Sequence, residues 1–273
     1  MRIGAYQFPV TGNITENISH ILDAVSRASR EGVELLVFPE CAVTGYPPLA
    51  LPSPAEIDEE RKNEAHTQLQ KAAIQNRMHL IAGTIIRRGS SFYNAALCFA
   101  PDGTVTEYDK RALWGWDQEN FTPGTRDGIL QAGTLKIGIR ICFEVRFPEY
   151  FRELYRAKTD LNVILFSDTA SQADPDRYDL IRAHIRTRAV ENVCPVLAVN
   201  NAASFQTAPT VLFDASGKAL CELEPEKEGL LIYDFEKKEP SFGELGRQNL
   251  SDALLNKEGT KLFPSTGKIY QDW

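Results

Sequence analysis

Three side chains that could do chemistry stand directly after short apolar runs in this sequence: Glu40, Lys110 and Cys142. Runs of this kind predict buried strands, and the carboxyl ends of strands in layered sheets are where loops carry reactive groups. We therefore expect an acid, an amine and a thiol to meet in one pocket. Those three groups together are typical of nucleophilic catalysis by cysteine.

The chemistry expected of this trio follows from the acidity of the thiol. A free thiol is a weak nucleophile at neutral pH, so Cys142 needs a base or a nearby cation. Glu40 could be the base, because burial raises a carboxyl pKa towards neutrality, and Lys110 could be the cation. Lys110 and the backbone N–H of Phe143 could both donate to the oxygen of an attacked carbonyl.

Each of these residues also has a plain structural interpretation. A cysteine that ends an apolar strand is most often a small buried hydrophobe. Glu40 and Lys110, taken singly, are most often solvated loop charges. The joint placement of all three at equivalent strand ends favours the catalytic interpretation.

The elements that would position these side chains alternate between apolar runs and amphipathic stretches, which indicates interleaved α and β structure. Strands are predicted at Arg2 to Phe8, Leu35 to Phe38, His79 to Ile86, Ala95 to Ala100, Thr104 to Tyr108, Thr134 to Ile141, Leu161 to Phe166 and Pro195 to Asn200, with a last hairpin from Val211 to Leu220. Helices are predicted at Asn13 to Arg30, Glu56 to Gln75, Pro148 to Lys158 and Asp176 to Asn192. The apolar spacing puts Ile18 and Ile21 on the inward face of the first of these helices, and Leu180, Ile181 and Ile185 on the inward face of the last. We expect one domain, residues 1–240, and a polar tail, residues 241–273, that packs on the domain or on a partner subunit.

Composition narrows the function classes. The 273 residues are 43% hydrophobic and 25% charged with a net charge of −7, which predicts a packed globule and argues against nucleic acid as a partner. No apolar run has the length of a membrane span, and the first ten residues do not resemble a signal peptide, so we expect a cytoplasmic protein. Five widely spaced cysteines and four histidines without ligand-like spacing predict no metal site.

The motifs around the three reactive residues resemble those of the nitrilase superfamily of carbon-nitrogen hydrolases. The resemblance covers about Arg2 to Asp234. It rests on Phe38-Pro39-Glu40 followed by Thr44-Gly45-Tyr46, on Tyr108-Asp109-Lys110, on the stretch from Gly138 to Glu149 around Cys142, and on Arg186 to Asn192.

Membership of this family implies a four-layer αββα sandwich, a Glu-Lys-Cys triad, no cofactor, and a homodimer or higher homo-oligomer. It also implies a second glutamate that orients substrate and lysine, which we expect to be Glu119, four residues before Pro123-Gly124. Tyr46 is expected to line the pocket.

Some details favour one substrate class over another. Relatives that cleave nitriles commonly carry Trp beside the nucleophile, whereas this chain has Phe143, so an amide is favoured. Asp168 and Thr169 could contact substrate or could form a plain turn after a strand. Arg146 is expected to be a structural ion-pair partner rather than a substrate clamp.

The expected function is therefore hydrolysis of a small linear amide or carbamoyl compound through a thioester, releasing ammonia or an amine and a carboxylic acid. Three alternatives remain open. The chain could be a nitrile-hydrolysing nitrilase, a non-catalytic relative used for binding or assembly, or a papain-like enzyme. The last is poorly supported because no histidine stands at a strand end.

Overall fold

The structure is a computed structural model that describes residues 1–256. Contacts divide the chain into a unit from Met1 to Lys237, which holds every strand, and a second unit that starts at Lys238. The described part of the second unit contains one helix, which begins after Ser241. Most of the predicted tail, residues 257–273, lies outside the described residues.

Twelve strands and six helices make up the described chain. The strands are β1 Arg2–Gln7, β2 Leu35–Val37, β3 His79–Arg88, β4 Ser91–Phe99, β5 Val105–Asp109, β6 Ile129–Ala132, β7 Leu135–Ile141, β8 Leu161–Leu165, β9 Val196–Val199, β10 Val211–Phe213, β11 Ala219–Glu222 and β12 Gly229–Asp234. The helices are α1 Ile14–Arg30, α2 Glu59–Asn76, α3 Trp116–Asn120, α4 Pro148–Arg156, α5 Pro175–Asn192 and α6 Phe242–Leu255.

The strands form two sheets of six, with the orders β12-β1-β2-β3-β4-β5 and β11-β10-β9-β8-β7-β6. Each sheet has three parallel strands at its centre, β1 to β3 in the first and β7 to β9 in the second. The outer strands pair antiparallel. The carboxyl ends of β2 and β7, which Glu40 and Cys142 follow, are thus ends of central parallel strands.

Side-chain alternation along the strands builds four layers. In β1, Ile3 and Ala5 point into a core shared by both sheets, while Tyr6 points into a core under the helices. In the second sheet, Val163 faces the shared core and Ile164 faces the core under α4 and α5. The αββα sandwich predicted from the family resemblance is confirmed.

Helix α1 shows why these segments are helical. Its cap residue Asn13 accepts hydrogen bonds from the backbone of Thr15 and Glu16, which satisfies donors that the first turn leaves free. Ile18 and Ile21 lie on the buried face, as the sequence predicts.

The register of α5 differs from the prediction in one place. Ile181 and Ile185 are buried, but Leu180, predicted to face inward, is 48% exposed. Residues four apart share a helix face and neighbours in sequence do not, so Leu180 falls beside the buried stripe.

Four elements were not predicted: β6, α3, β12 and α6. None of the described helices is long and apolar enough to cross a membrane.

Candidate active site

Glu40 lies in the turn after β2, where the neighbouring strand β3 comes unusually close. A Cβ on Gly83 would lie 2.3 Å from the Cys41 nitrogen and 2.4 Å from the Pro39 oxygen, so only glycine fits there. The Gly83 amide donates to the Pro39 oxygen at 3.0 Å. This contact fixes the turn, and with it the direction of the Glu40 side chain.

The Glu40 carboxylate is buried and fully hydrogen-bonded. Its Oε1 accepts from Asn94 Nδ2 at 2.7 Å and from Lys110 Nζ at 2.9 Å, and its Oε2 accepts from the Ser167 backbone N–H at 2.9 Å. Burial raises the pKa of Glu40 above its ordinary value, although the positive charge of Lys110 opposes this. A carboxyl group with a raised pKa is suited to accept and return a proton.

Lys110 directly follows β5, and both its backbone N–H and its carbonyl are hydrogen-bonded. Its N–H donates to the Asn94 oxygen at 2.8 Å, and its carbonyl accepts from the Gly124 N–H at 3.0 Å. Its side chain is 3% exposed and ion-pairs with both Glu40 and Asp117. Burial alone would lower the pKa of Lys110, but the surrounding negative charges, led by Glu40, raise it well above its usual value. Lys110 is therefore a protonated donor.

The second acid at Lys110 is Asp117, not Glu119. Asp117 Oδ2 accepts from Lys110 Nζ at 2.7 Å and the residue is 4% exposed. Glu119, on the same short helix α3, faces solvent. Residues two apart on a helix point in nearly opposite directions, so only one of the two acids can face Lys110. The expectation for Glu119 is corrected accordingly.

Tyr46 lies where the sequence places it, in the loop behind Glu40. Its hydroxyl donates to Asp117 Oδ1 at 2.6 Å, and its ring centroid is 6.0 Å from Lys110 Nζ. Burial and the charge of Glu40 raise the pKa of Tyr46, so the hydroxyl stays protonated and remains a donor. Tyr46 thereby fixes the orientation of the Asp117 carboxylate.

Cys142 begins a 3₁₀ turn, Cys142–Arg146, at the end of β7. Its φ of 44° lies in the left-handed region, which is disfavoured for residues with a Cβ and recurs at functional sites. Burial raises the pKa of the thiol well above its usual value; the charge of Glu40 adds to this and that of Lys110 opposes it. The resting thiol is therefore protonated and depends on a base.

The remaining predicted residues, Phe143, Thr169 and Arg146, have different surroundings. Phe143, next to Cys142, is partly buried and its ring packs edge-on against Phe147 with centroids 5.2 Å apart. Thr169 forms an isolated β-bridge with Gln206. Arg146 is near His184, whose pKa is lowered by burial and, in smaller part, by this guanidinium.

Asp168 is buried, and both its carboxylate and its backbone N–H have partners. Its carboxylate pairs with Arg177 and accepts from Thr207 Oγ1 at 2.9 Å, and its N–H donates to Asn200 at 2.9 Å. After burial and the charge of Glu40, its negative charge also raises the pKa of Cys142.

Sequence reasoning missed three residues that hold the acid and the amine in place: Asn94, Asp117 and Ser167. Asn94 carried a usable signal, because an amide in the middle of an apolar strand needs a partner when it is buried. Ser167 contributes only its backbone N–H, so its side-chain type carries no signal.

The arrangement combines a base, a charged donor and a thiol in a desolvated pocket. Glu40 can take the thiol proton, and Lys110 can donate to an oxyanion that forms on an attacked carbonyl. Within residues 1–256, no group of three or more His, Cys, Asp or Glu side chains could hold a metal ion.

Comparison with known proteins agrees with this geometry. The sequence profile of the carbon-nitrogen hydrolase family matches residues 2–239. The chain is 28% identical over 229 residues to a 2-oxoglutaramate amidase of Bacillus subtilis (strain 168), covering 81% of this chain and 85% of that protein. It is 26% identical over 202 residues to the omega-amidase NIT2 of Xenopus tropicalis, covering 70% and 71%.

Among solved structures, a variant of the Nesterenkonia AN1 amidase from the nitrilase superfamily aligns with a TM-score of 0.80 at 23% identity, covering 94% of this chain and 96% of that one. This similarity shows the shared fold. The family profile spans most of the chain, so this protein belongs to the carbon-nitrogen hydrolase family and is a hydrolase of carbon–nitrogen bonds other than peptide bonds.

Proposed function

We propose that this protein hydrolyses small linear amides through a thioester on Cys142. The observation that carries the proposal is the buried Lys110 bridge between Glu40 and Asp117 beside a partly exposed cysteine in a left-handed turn. A fixed charged donor and a base with a raised pKa are what a protonated thiol requires in order to attack an amide.

The proposed reaction has two halves. Glu40 takes the proton of Cys142 as sulfur attacks the amide carbon, and the resulting oxyanion accepts hydrogen bonds from Lys110 and the Phe143 N–H. Glu40 then gives its proton to the nitrogen, which leaves as ammonia or an amine while the thioester remains. Water, deprotonated by Glu40, attacks the thioester and releases the carboxylic acid; the proton returns to sulfur.

Names of similar proteins support an amide as the substrate. The relatives include a 2-oxoglutaramate amidase and an omega-amidase, and both names denote hydrolysis of an amide. The fold neighbour from Nesterenkonia has been seen with butyramide, and one variant carries the acetamide moiety of fluoroacetamide on its active-site cysteine.

An ammonia-release screen tests the proposal. Purified protein would be offered 2-oxoglutaramate, butyramide, an N-carbamoyl amino acid and an aliphatic nitrile, each alongside Cys142→Ala as the matched control. We expect ammonia from at least one amide with wild type and none with the variant. Ammonia from the nitrile alone would favour a nitrilase, and no turnover of any compound would favour a non-catalytic relative.

Assembly into a homodimer or higher homo-oligomer stays a prediction. Two apolar side chains on the layer of α4 and α5 are exposed, Phe147 directly before α4 and Leu180 within α5, and both would gain from burial in an interface. Sedimentation analysis of the full chain measures the state.

A further inference from the structure

Glu144 is a fully buried carboxylate two residues after Cys142, in the same 3₁₀ turn. Its two oxygens serve different segments of the chain. Oε2 accepts from the backbone N–H of Ile141 at 2.7 Å. Oε1 accepts from the Tyr108 hydroxyl at 2.7 Å, from the Arg111 N–H at 2.8 Å and from the Ala112 N–H at 3.4 Å. One side chain thus joins two separate pieces of backbone.

Those two pieces carry the nucleophile and the lysine. Ile141 directly precedes Cys142, whereas Tyr108 and Arg111 flank Lys110 in sequence. We propose that Glu144 is a positioning residue that holds Cys142 and Lys110 in a fixed relation to each other. The inference rests on the proposed function, in which both residues act on one carbonyl group.

The two segments need such a connection because they belong to different sheets. Lys110 follows β5, at the edge of the first sheet, and Cys142 follows β7 in the second sheet. Apolar packing between the two sheets is non-directional. It therefore does not fix the relative position of the two strand ends. Hydrogen bonds from one carboxylate to both ends restrict that variation.

The left-handed conformation of Cys142 adds a second requirement. A residue with a Cβ keeps a φ of 44° only where its surroundings determine it. Glu144 fixes the start of the turn through the Ile141 N–H, and its own carbonyl closes the turn by accepting from the Phe147 N–H at 3.1 Å. The same residue thus holds the nucleophile turn and ties it to the lysine.

A neighbouring ion pair offers a matched contrast. Arg111 also pairs with Glu153 on α4, which joins the lysine segment to the helix after the nucleophile turn. Glu153 is 41% exposed, and it pairs both with Arg111 and, at 3.3 Å, with the buried guanidinium of Arg140. A change at Glu153 therefore removes a link between neighbouring segments without removing the buried one.

The test compares Glu144→Gln, Tyr108→Phe and Glu153→Gln. Gln at position 144 keeps the size of the side chain but puts an NH₂ group against the Ile141 N–H, or against the donors around Arg111 if the amide is flipped. Three quantities are measured for each variant: kcat and KM for ammonia release, the melting temperature, and the pH dependence of Cys142 alkylation by iodoacetamide. Alkylation needs no substrate, so it is informative even if the proposed function fails, in which case wild type releases no ammonia.

For Glu144→Gln we expect kcat to fall about tenfold or more, since loss of a hydrogen bond to a buried charge has effects of this size. KM should change less than about twofold, because the residue acts on the reacting groups rather than on substrate binding. Lys110 lowers the pKa of the thiol, so a displaced lysine should move the alkylation profile to higher pH. Glu153→Gln should match wild type in kcat, KM and the alkylation profile, although loss of the ion pair with the buried Arg140 should lower its melting temperature.

A Glu144→Gln variant with wild-type kcat and an unchanged alkylation profile overturns the proposal, whether or not its melting temperature falls. If Glu144→Gln does not fold, Tyr108→Phe decides, because it removes one donor from the lysine side alone. We expect a few-fold loss of kcat and an upward shift of the alkylation profile for Tyr108→Phe. No change in either quantity in that variant also overturns the proposal.

Discussion

Replacing Asp117 by Asn tests the part of the site that the structure added to the sequence prediction. The Asp117 carboxylate accepts from Lys110 at 2.7 Å and from Tyr46 at 2.6 Å in a buried position. A hydrogen bond to a charged group contributes about 1.5–3 kcal/mol, and about 1.4 kcal/mol corresponds to a factor of ten in rate. If the loss appears in the transition state, kcat/KM for ammonia release should fall about tenfold to about a hundredfold.

The direction of the accompanying pKa changes is fixed by the sign of the lost charge. The negative charge of Asp117 raises the pKa values of Cys142, Glu40 and Lys110. Removing that charge should lower all three, so the pH profile of Cys142 alkylation should shift to lower pH in Asp117→Asn.

Glu119→Gln is the matched control, because it removes an equal charge from the same short helix on its exposed side. We expect this variant to keep wild-type kcat/KM within about twofold, since isolated surface charges contribute little. Loss of activity in Glu119→Gln but not in Asp117→Asn would show that Asp117 is not the acid that positions Lys110.

Three further outcomes follow from the site. Cys142→Ala should fold with a wild-type melting temperature and release no ammonia. Cys98 is buried in the core between the sheets, so Cys98→Ala should lose about 1 kcal/mol of stability and keep its kcat. Thermal melts measure the stability of both variants, and rate assays measure their kcat. Because Glu40 must be ionised to act and burial raises its pKa, kcat/KM should fall on acidification at a higher pH than for an exposed glutamate, and a fall only at the pH typical of an exposed glutamate contradicts this assignment. Nearby negative charges raise the pKa of Lys110 well above its usual value, so the pH–rate profile should show no alkaline loss where an ordinary lysine titrates. Lys110→Met should reduce kcat about a hundredfold to a thousandfold in the same assay, and near-normal turnover would remove Lys110 from the oxyanion site.

Local pattern carried the prediction of interleaved α and β structure and of the strand ends that bear Glu40, Lys110 and Cys142, whereas the four-layer sandwich was predicted from the family resemblance. Apolar alternation and turn residues act over a few positions, so the turn between β4 and β5 and the face of α1 can be inferred from nearby residues. By contrast, β12 is held by antiparallel pairing with β1, more than two hundred residues earlier in the chain. No local signal reports such a partner.

The choice between Asp117 and Glu119 shows the same limit inside the site. Helix α3 has five residues, too few for apolar periodicity to define which side is buried. The identity of the acid depends on a rotation of that helix, which the contacts of Tyr46 and Lys110 determine in three dimensions. Glu144 escaped attention for a related reason, since its partners beyond its own turn lie more than thirty residues away.

The central claim is a covalent thioester on Cys142, and mass spectrometry of enzyme quenched in acid during turnover of a slow amide tests it most directly. We expect the mass of the peptide that contains Cys142 to increase by the mass of the acyl group, and we expect no increase in Cys142→Ala. Turnover without any adduct, or an adduct on another cysteine such as Cys41 beside Glu40, would contradict it.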